Sequence, residues 1–412
     1  MRTILKPLAL AVIAAMSSQI FAEQNSADVD QSGISLKATA TQTGGVDNTT
    51  LITQSGVANE AVTFQLGGSG DSISQYQQGS FNYSEARQLG NTGASPVSGN
   101  LILQYQAVGS ENVANAIQTN STESVISQDQ HGSSNTAQGT QSDSIGTGLY
   151  QLQVGDGNSA TANQTFAQST STSKQYGYDN VSSTRQDNTL DDTAYVWQEG
   201  TANNATVRQD YGSVSNVEIY SFGVGNSVTV EQYEAIASNA EVESNGNYNT
   251  AMVTQSDILM KVSSEQNGDR NQLITTQGGR QNTVVSVQTG NDNVIGLAQA
   301  GRDSSAAIEQ SGNRNTASVS QTAPGNELRA VTTGNNNSIV TVQVGVVEVN
   351  ALDLEQNGDN NIIQASQYNE GNYALVSQAG TANFADISQH GASDNLSVLQ
   401  SGTSNSASVV QH

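Results

Sequence analysis

The sequence predicts an all-β protein, a two-sheet parallel β-solenoid of about seventeen strand-turn-strand repeats of 22–23 residues, on three observations. Glutamine recurs every eleven or twelve residues from Gln31 to Gln411. Small or apolar residues alternate with polar ones between these glutamines. Gly and Asn return at fixed places after many of them. Composition points the same way. With 35% hydrophobic and 5% aromatic residues in 412, the chain cannot fill a broad globular core, so the core must be thin and repeated.

The first element, residues 1–22, reads as a Sec-type signal peptide. Arg2 and Lys6 give a basic start, Leu8 to Met16 a short apolar run, and Ala22 a small residue before Glu23. The run is too short to span a bilayer, and no other stretch approaches that length, so no transmembrane segment is expected. Removing Arg2 and Lys6 would make the chain two charges more negative than its formal −24. Residues 23–30 follow as a polar segment outside the repeat.

Residues 31–412 form the repeat. Glutamines stand at 255, 266, 277, 288, 299, 310 and 321, then, past Thr332, at 343, 356, 367, 378, 389, 400 and 411. Ser221 and Ser244 fill two earlier rungs. An insertion near 89–100, containing Pro96, separates Gln88 from Gln106. Strands follow from stretches such as Asn361, Ile363, Ala365, Gln367, whose period of two buries one face. A helix fails on that period. Two strands cannot bury their own inner faces, so successive copies must stack as parallel strands into facing sheets.

Stacking sets each inward amide above its equivalent in the next coil, where it can donate to one neighbour and accept from the other. The residues expected in such ladders are Gln54 with Asn59, Gln77 with Asn82, Gln130 with Asn135, Gln153 with Asn158, Gln175 with Asn180 and Gln198 with Asn203. Further along they are Gln266 with Asn271, Gln277 with Asn282, Gln288 with Asn293, Gln310 with Asn315, Gln356 with Asn361, Gln378 with Asn383 and Gln400 with Asn405. The glycines expected at turns are Gly56, Gly79, Gly132, Gly155, Gly177, Gly200, Gly268, Gly290, Gly312, Gly358, Gly380 and Gly402.

The spacing S-x5-Q-x-G-x-x-N-x-A-x3-Q resembles the repeat of curlins, the secreted amyloid subunits of bacterial curli. Ser304, Gln310, Gly312, Asn315, Ala317 and Gln321 match it at every position, and Gln77, Gly79 and Asn82 repeat it with Ser84 in place of Ala. The resemblance covers residues 31–412. It implies a subunit exported through an outer-membrane curli secretion pore and polymerised from a nucleator subunit into extracellular biofilm fibres, with residues 23–30 engaging the export apparatus. The chain stops on a regular rung at Gln411-His412, and an uncovered strand edge is what a polymer uses. The expected partner is therefore another copy of the chain, and the expected location the cell surface and extracellular fibres.

Other classes fit poorly. Without cysteine there is no disulfide scaffold, thiolate zinc site or cysteine nucleophile. The acidic balance opposes a nucleic-acid partner. His131, His390 and His412 lie without a Ser/His/Asp pattern and read as solvated turn residues. Asp187, Asp191 and Asp192 lack the glycine-rich nonapeptide of calcium-binding solenoids and read as solvated surface. No catalytic residue, metal or cofactor is expected, and the chain does not read as an enzyme. A polysaccharide lyase would need a wider coil and a charged cluster on one face. An ice binder would need an outward Thr ladder, whereas Gln272, Val294, Thr316, Ser338 and Ile362 stand at one outward position in successive coils. Tyr residues and Trp197 read as scattered. The alternative to a fibre subunit is a surface-bound solenoid adhesin, or a curli nucleator or cap that forms no long fibres.

Overall fold

A computed structural model describes residues 24–90, 99–322, 324–345 and 349–412. The signal-peptide reading of residues 1–22 and the loop around Pro96 lie outside the described residues. Among the described residues there is no helix, and so none long and apolar enough to cross a membrane.

The chain divides into two compact units at Ala202/Asn203. Each is a two-sheet parallel β-solenoid in which strands alternate between the sheets. In the first unit, sheet A has eight strands, from Ser26–Ile34 to Leu190–Thr201. Its sheet B has seven, from Lys37–Thr43 to Val181–Asp187. In the second unit, ten strands from Asn204–Asp210 to Ser406–Gln411 form sheet B, and nine from Asn216–Val224 to Asn395–Thr403 form sheet A.

Register is kept rung to rung. Thr49–Val57 pairs residue for residue with Ser72–Ser80, placing Gln54 beside Gln77 and Gly56 beside Gly79. Across the insertion the pairing resumes, with Ile73 beside Ile102 in sheet A and Gln88 beside Gln118 in sheet B. The extra residues therefore leave the strand stack uninterrupted. Sheet A absorbs one further residue by a bulge between Gln106 and Gly109, opposite Gln77 and Gly79, where Val108 takes φ 50°.

The first strand starts at Ser26. Ser26–Asp30 pair with Thr49–Thr53, so most of the polar segment assigned to 23–30 lies within the stack. Val29, half-buried, packs against Ala38, Ile52 and Ala61 and ties this strand to the core.

Between the sheets large side chains meet small ones. Ile73, Ile102, Ile126 and Leu149 of sheet A pack against Ala86, Ala116 and Ala162 of sheet B. Burying each large side chain contributes roughly 1.5–3 kcal/mol. The alanines let the sheets approach closely enough for glutamines to reach across.

Candidate functional site, two axial amide ladders

An inward glutamine in a thin core faces two demands. Its carboxamide has two N–H donors and an acceptor oxygen, and each polar group buried without a partner costs about 1–3 kcal/mol. Stacking meets both. In sheet A of the first unit, Gln31, Gln54, Gln77, Gln106, Gln130, Gln153, Gln175 and Gln198 form one line in which each Nε2 donates to the next Oε1. Beyond the first link the distances are 2.7–2.9 Å. The second N–H crosses to the other sheet, as from Gln54 to the carbonyl of Lys37 and from Gln130 to that of Val113, both 3.0 Å. Sheet B repeats this through Gln42, Gln65, Gln88, Gln118, Gln141, Gln164 and Gln186 at 2.7–2.9 Å.

In the second unit, the sheet B ladder runs unbroken from Gln209 to Gln411 at 2.7–3.0 Å. Gln277 belongs to this ladder, between Gln255 and Gln299, and Asn282 to its corner. They face Gln266 and Asn271 of sheet A, as two strands per repeat require. Sheet A runs from Ser244 through Gln266 and Gln288 to Gln310, and again from Gln356 through Gln378 to Gln400. Between these segments stands Thr332, paired in register with Gln310 and Gln356. Gln356 Oε1 is buried there without a hydrogen-bond partner. Ser221 is likewise a buried rung without an amide.

The asparagines work differently from the glutamines. Asn is one methylene shorter and reaches the corner backbone. Asn59 Nδ2 donates to the carbonyls of Ser55 at 2.9 Å and Gly79 at 3.2 Å, while its Oδ1 accepts from the Asn82 N–H at 2.9 Å. Asn135, Asn158 and Asn180 repeat the tie to the next coil's glycine carbonyl. So do Asn203, Asn271, Asn293, Asn315, Asn361 and Asn383 in the second unit. Asn405 donates to Asn383 Oδ1 and to the Ser401 carbonyl. Amide-to-amide contact is thus secondary for these residues, and backbone clamping is the main bond.

The glycines lie at strand ends rather than in the turns, which fall one or two residues later, as at Ala58 with φ 53°. From Gly56 through Gly79, Gly132, Gly155, Gly177, Gly200, Gly268, Gly290, Gly312, Gly358 and Gly380 to Gly402, φ stays between 109° and 125°. A Cβ on Gly56 would stand 2.0 Å from the carbonyl oxygen of Gly79. Only glycine permits that approach.

Several placements go beyond the sequence reading. A third, shorter ladder of buried glutamines, also in sheet A, joins Gln75, Gln104, Gln128 and Gln151 at 2.7–2.9 Å. Its signal was available as Q-x-Q at four consecutive sheet A rungs. Asp192, read as solvated, is fully buried at a corner position, with its N–H donating to Ser169 Oγ at 3.2 Å. His131, read as a solvated turn residue, closes a strand. Its Nε2 lies 2.9 Å from Asp129 Oδ1 and its ring 5.7 Å from that of Tyr105. Burial pushes the Asp129 carboxyl above its usual range against the pull of His131. His390 and His412 are exposed and stacked, their ring centroids 5.5 Å apart. No group of three or more His, Cys, Asp or Glu that could hold a metal ion occurs among the described residues. The arrangement offers stacking chemistry: repeated donors and acceptors aligned with the coil direction.

Residues 301–329 match the Curlin associated repeat. No curated protein matches the chain. This stretch holds Gln310, Gly312, Asn315 and Gln321, whose burial, glycine conformation and corner clamping are those of the other rungs. The matched repeat, set among solenoid coils of the same construction, fits a member of the curlin family.

Proposed function

We propose that the protein is a structural subunit of secreted, curli-like amyloid fibres that assembles end to end in an extracellular matrix. The observation that carries this reading is the direction of the ladders. Every Gln-to-Gln bond donates from one coil to the Oε1 of the following coil, so the two faces of a coil are complementary. A coil of one copy can then continue the backbone and amide ladders of another, which is templated strand addition. Export by residues 1–22, passage through a curli pore and growth from a nucleator belong to the same proposal. The acidic charge supports it by keeping unassembled chains apart.

The test uses purified chain lacking residues 1–22, followed by thioflavin fluorescence with and without preformed seeds and by electron microscopy. Seed-accelerated growth of fibres with an axial repeat of about 4.8 Å supports the reading. A chain that stays monomeric under seeding overturns it and favours a solenoid adhesin or cap.

A further inference from the structure

Five aromatic residues of the first unit, Tyr76, Tyr105, Tyr150, Tyr195 and Trp197, share one surface. On the outer face of sheet A, Tyr76, Tyr105, Asp129, Leu152, Lys174 and Trp197 occupy one register line through successive coils. Beside it run Ser127, Tyr150, Thr172 and Tyr195. Tyr76 and Tyr105 stack at 4.8 Å, and Lys174 Nζ lies 5.4 Å and 5.7 Å from the ring centroids of Tyr195 and Trp197.

The middle of this face is concave. Ser127, Asp129, Tyr150, Leu152, Thr172 and Lys174 line a depression spanning three coils. On the same strand as Tyr150, a Cβ at Gly148 would meet the Tyr150 ring at 2.6 Å, so the Tyr150 ring leans over the space a side chain there would take. Asp129 stands on one wall and Lys174 on the other. Asp129 Oδ1 lies 2.9 Å from His131 Nε2, which fixes the carboxylate at this wall.

We propose that this depression binds a neutral glycan, lying along the solenoid axis with a sugar ring against Tyr150 and Leu152 and hydroxyls bonded to Asp129, Thr172 and Lys174. Gly148–Asp156 is hydrogen-bonded to a strand on each side, so no sheet edge is open to an added peptide strand, and recognition falls to side chains. An aromatic surface ringed by short hydroxyls and a fixed carboxylate suits a ligand with an apolar face and many hydroxyl groups. Two coil spacings make about 10 Å, room for roughly two sugar units. Asp129 and Lys174 balance locally, while the formal charge of −24 repels a polyanion, which selects an uncharged chain. This site stands apart from fibre assembly, since its side chains point away from the amide ladders.

The experiment applies the full chain to an array of neutral hexose and N-acetylhexosamine oligosaccharides, with alginate and hyaluronate as polyanion arms. Retention on neutral oligosaccharides is expected, weakened at least tenfold by Tyr150→Ala and by Asp129→Asn. Ser127→Trp, which fills the depression, is expected to abolish it. Far-UV circular dichroism and seeded growth should match the unsubstituted chain, so loss of binding is separable from misfolding and from failure to assemble. No retention on any neutral oligosaccharide, preference for the polyanions, or unchanged binding by the folded variants would each overturn the proposal.

Discussion

Gln130 donates from Nε2 to Gln153 Oε1 at 2.9 Å, and both side chains are fully buried. Gln130 also accepts from Gln106 at 2.9 Å, so one residue satisfies groups in the coils on either side of it. Replacing it by Ala strands a donor on Gln106 and an acceptor on Gln153. Each should cost about 1–3 kcal/mol, with a cavity penalty besides. Hydrogen exchange should show lost protection centred on the strands at 101–110, 125–131 and 148–156. Uniform weakening of the whole unit would argue against local ladder repair.

Thr332→Gln should stabilise the second unit. It supplies the missing amide between Gln310 and Gln356, whose Oε1 lacks a partner, at a rung where neighbouring coils already accommodate Gln. A gain of about 1–2 kcal/mol is expected in denaturant unfolding. A loss would mean that the coil at 327–335 is too tight for the longer side chain.

Gly312→Ala should be among the most damaging single-methyl changes. The residue has φ 119°, and the added Cβ would sit 1.9 Å from the Gly334 carbonyl oxygen. Backbone strain alone is worth about 1–3 kcal/mol, before the coils are forced apart. Ser311→Ala, one residue away and half-buried, serves as the control and should change stability little.

Alkaline pH should weaken the solenoid at Tyr83. Its hydroxyl donates to Glu85 Oε2 at 2.9 Å, and burial, then this bond and the carboxylate charge, push its pKa up to about 12. The neutral phenol is thus favoured by the folded state. Its contribution is complete below the unfolded value of about 10 and is lost as pH rises toward 12. Tyr233 is also held up, first by the Glu234 charge, so absorbance titration near 295 nm should show a late-ionising tyrosine fraction that shrinks in Tyr83→Phe.

The fold was legible because nearly all inward rungs obey one rule, broken only by small residues such as Ser221, Ser244 and Thr332. An amide that bonds to its own copy needs the same residue at the same step, so Gln141, Gln164 and Gln186 announce themselves without any fold being assumed. Outward positions obey no such rule. Tyr150 and Lys174 become neighbours only when coils are stacked, so the aromatic face was invisible as a linear pattern. Asp192 escaped for another reason. Its carboxyl has the shape of the Asn side chain used at other corners, and charge alone suggested solvent. Ser26–Asp30 reads as a polar tail because an outermost strand has fewer neighbours and needs less apolar residue to be held.

The common direction of the amide bonds has an electrical consequence. A carboxamide is a dipole, and dipoles aligned head to tail add, as peptide groups do in a helix. In each unit both glutamine ladders point their N–H ends toward higher-numbered coils, so the two columns reinforce one another. The face toward higher-numbered coils is therefore the positive pole and the opposite face the negative one. The ladders thus offset the repulsion of anions at the first face relative to the second, and an applied electric field would exert an orienting torque on the folded unit.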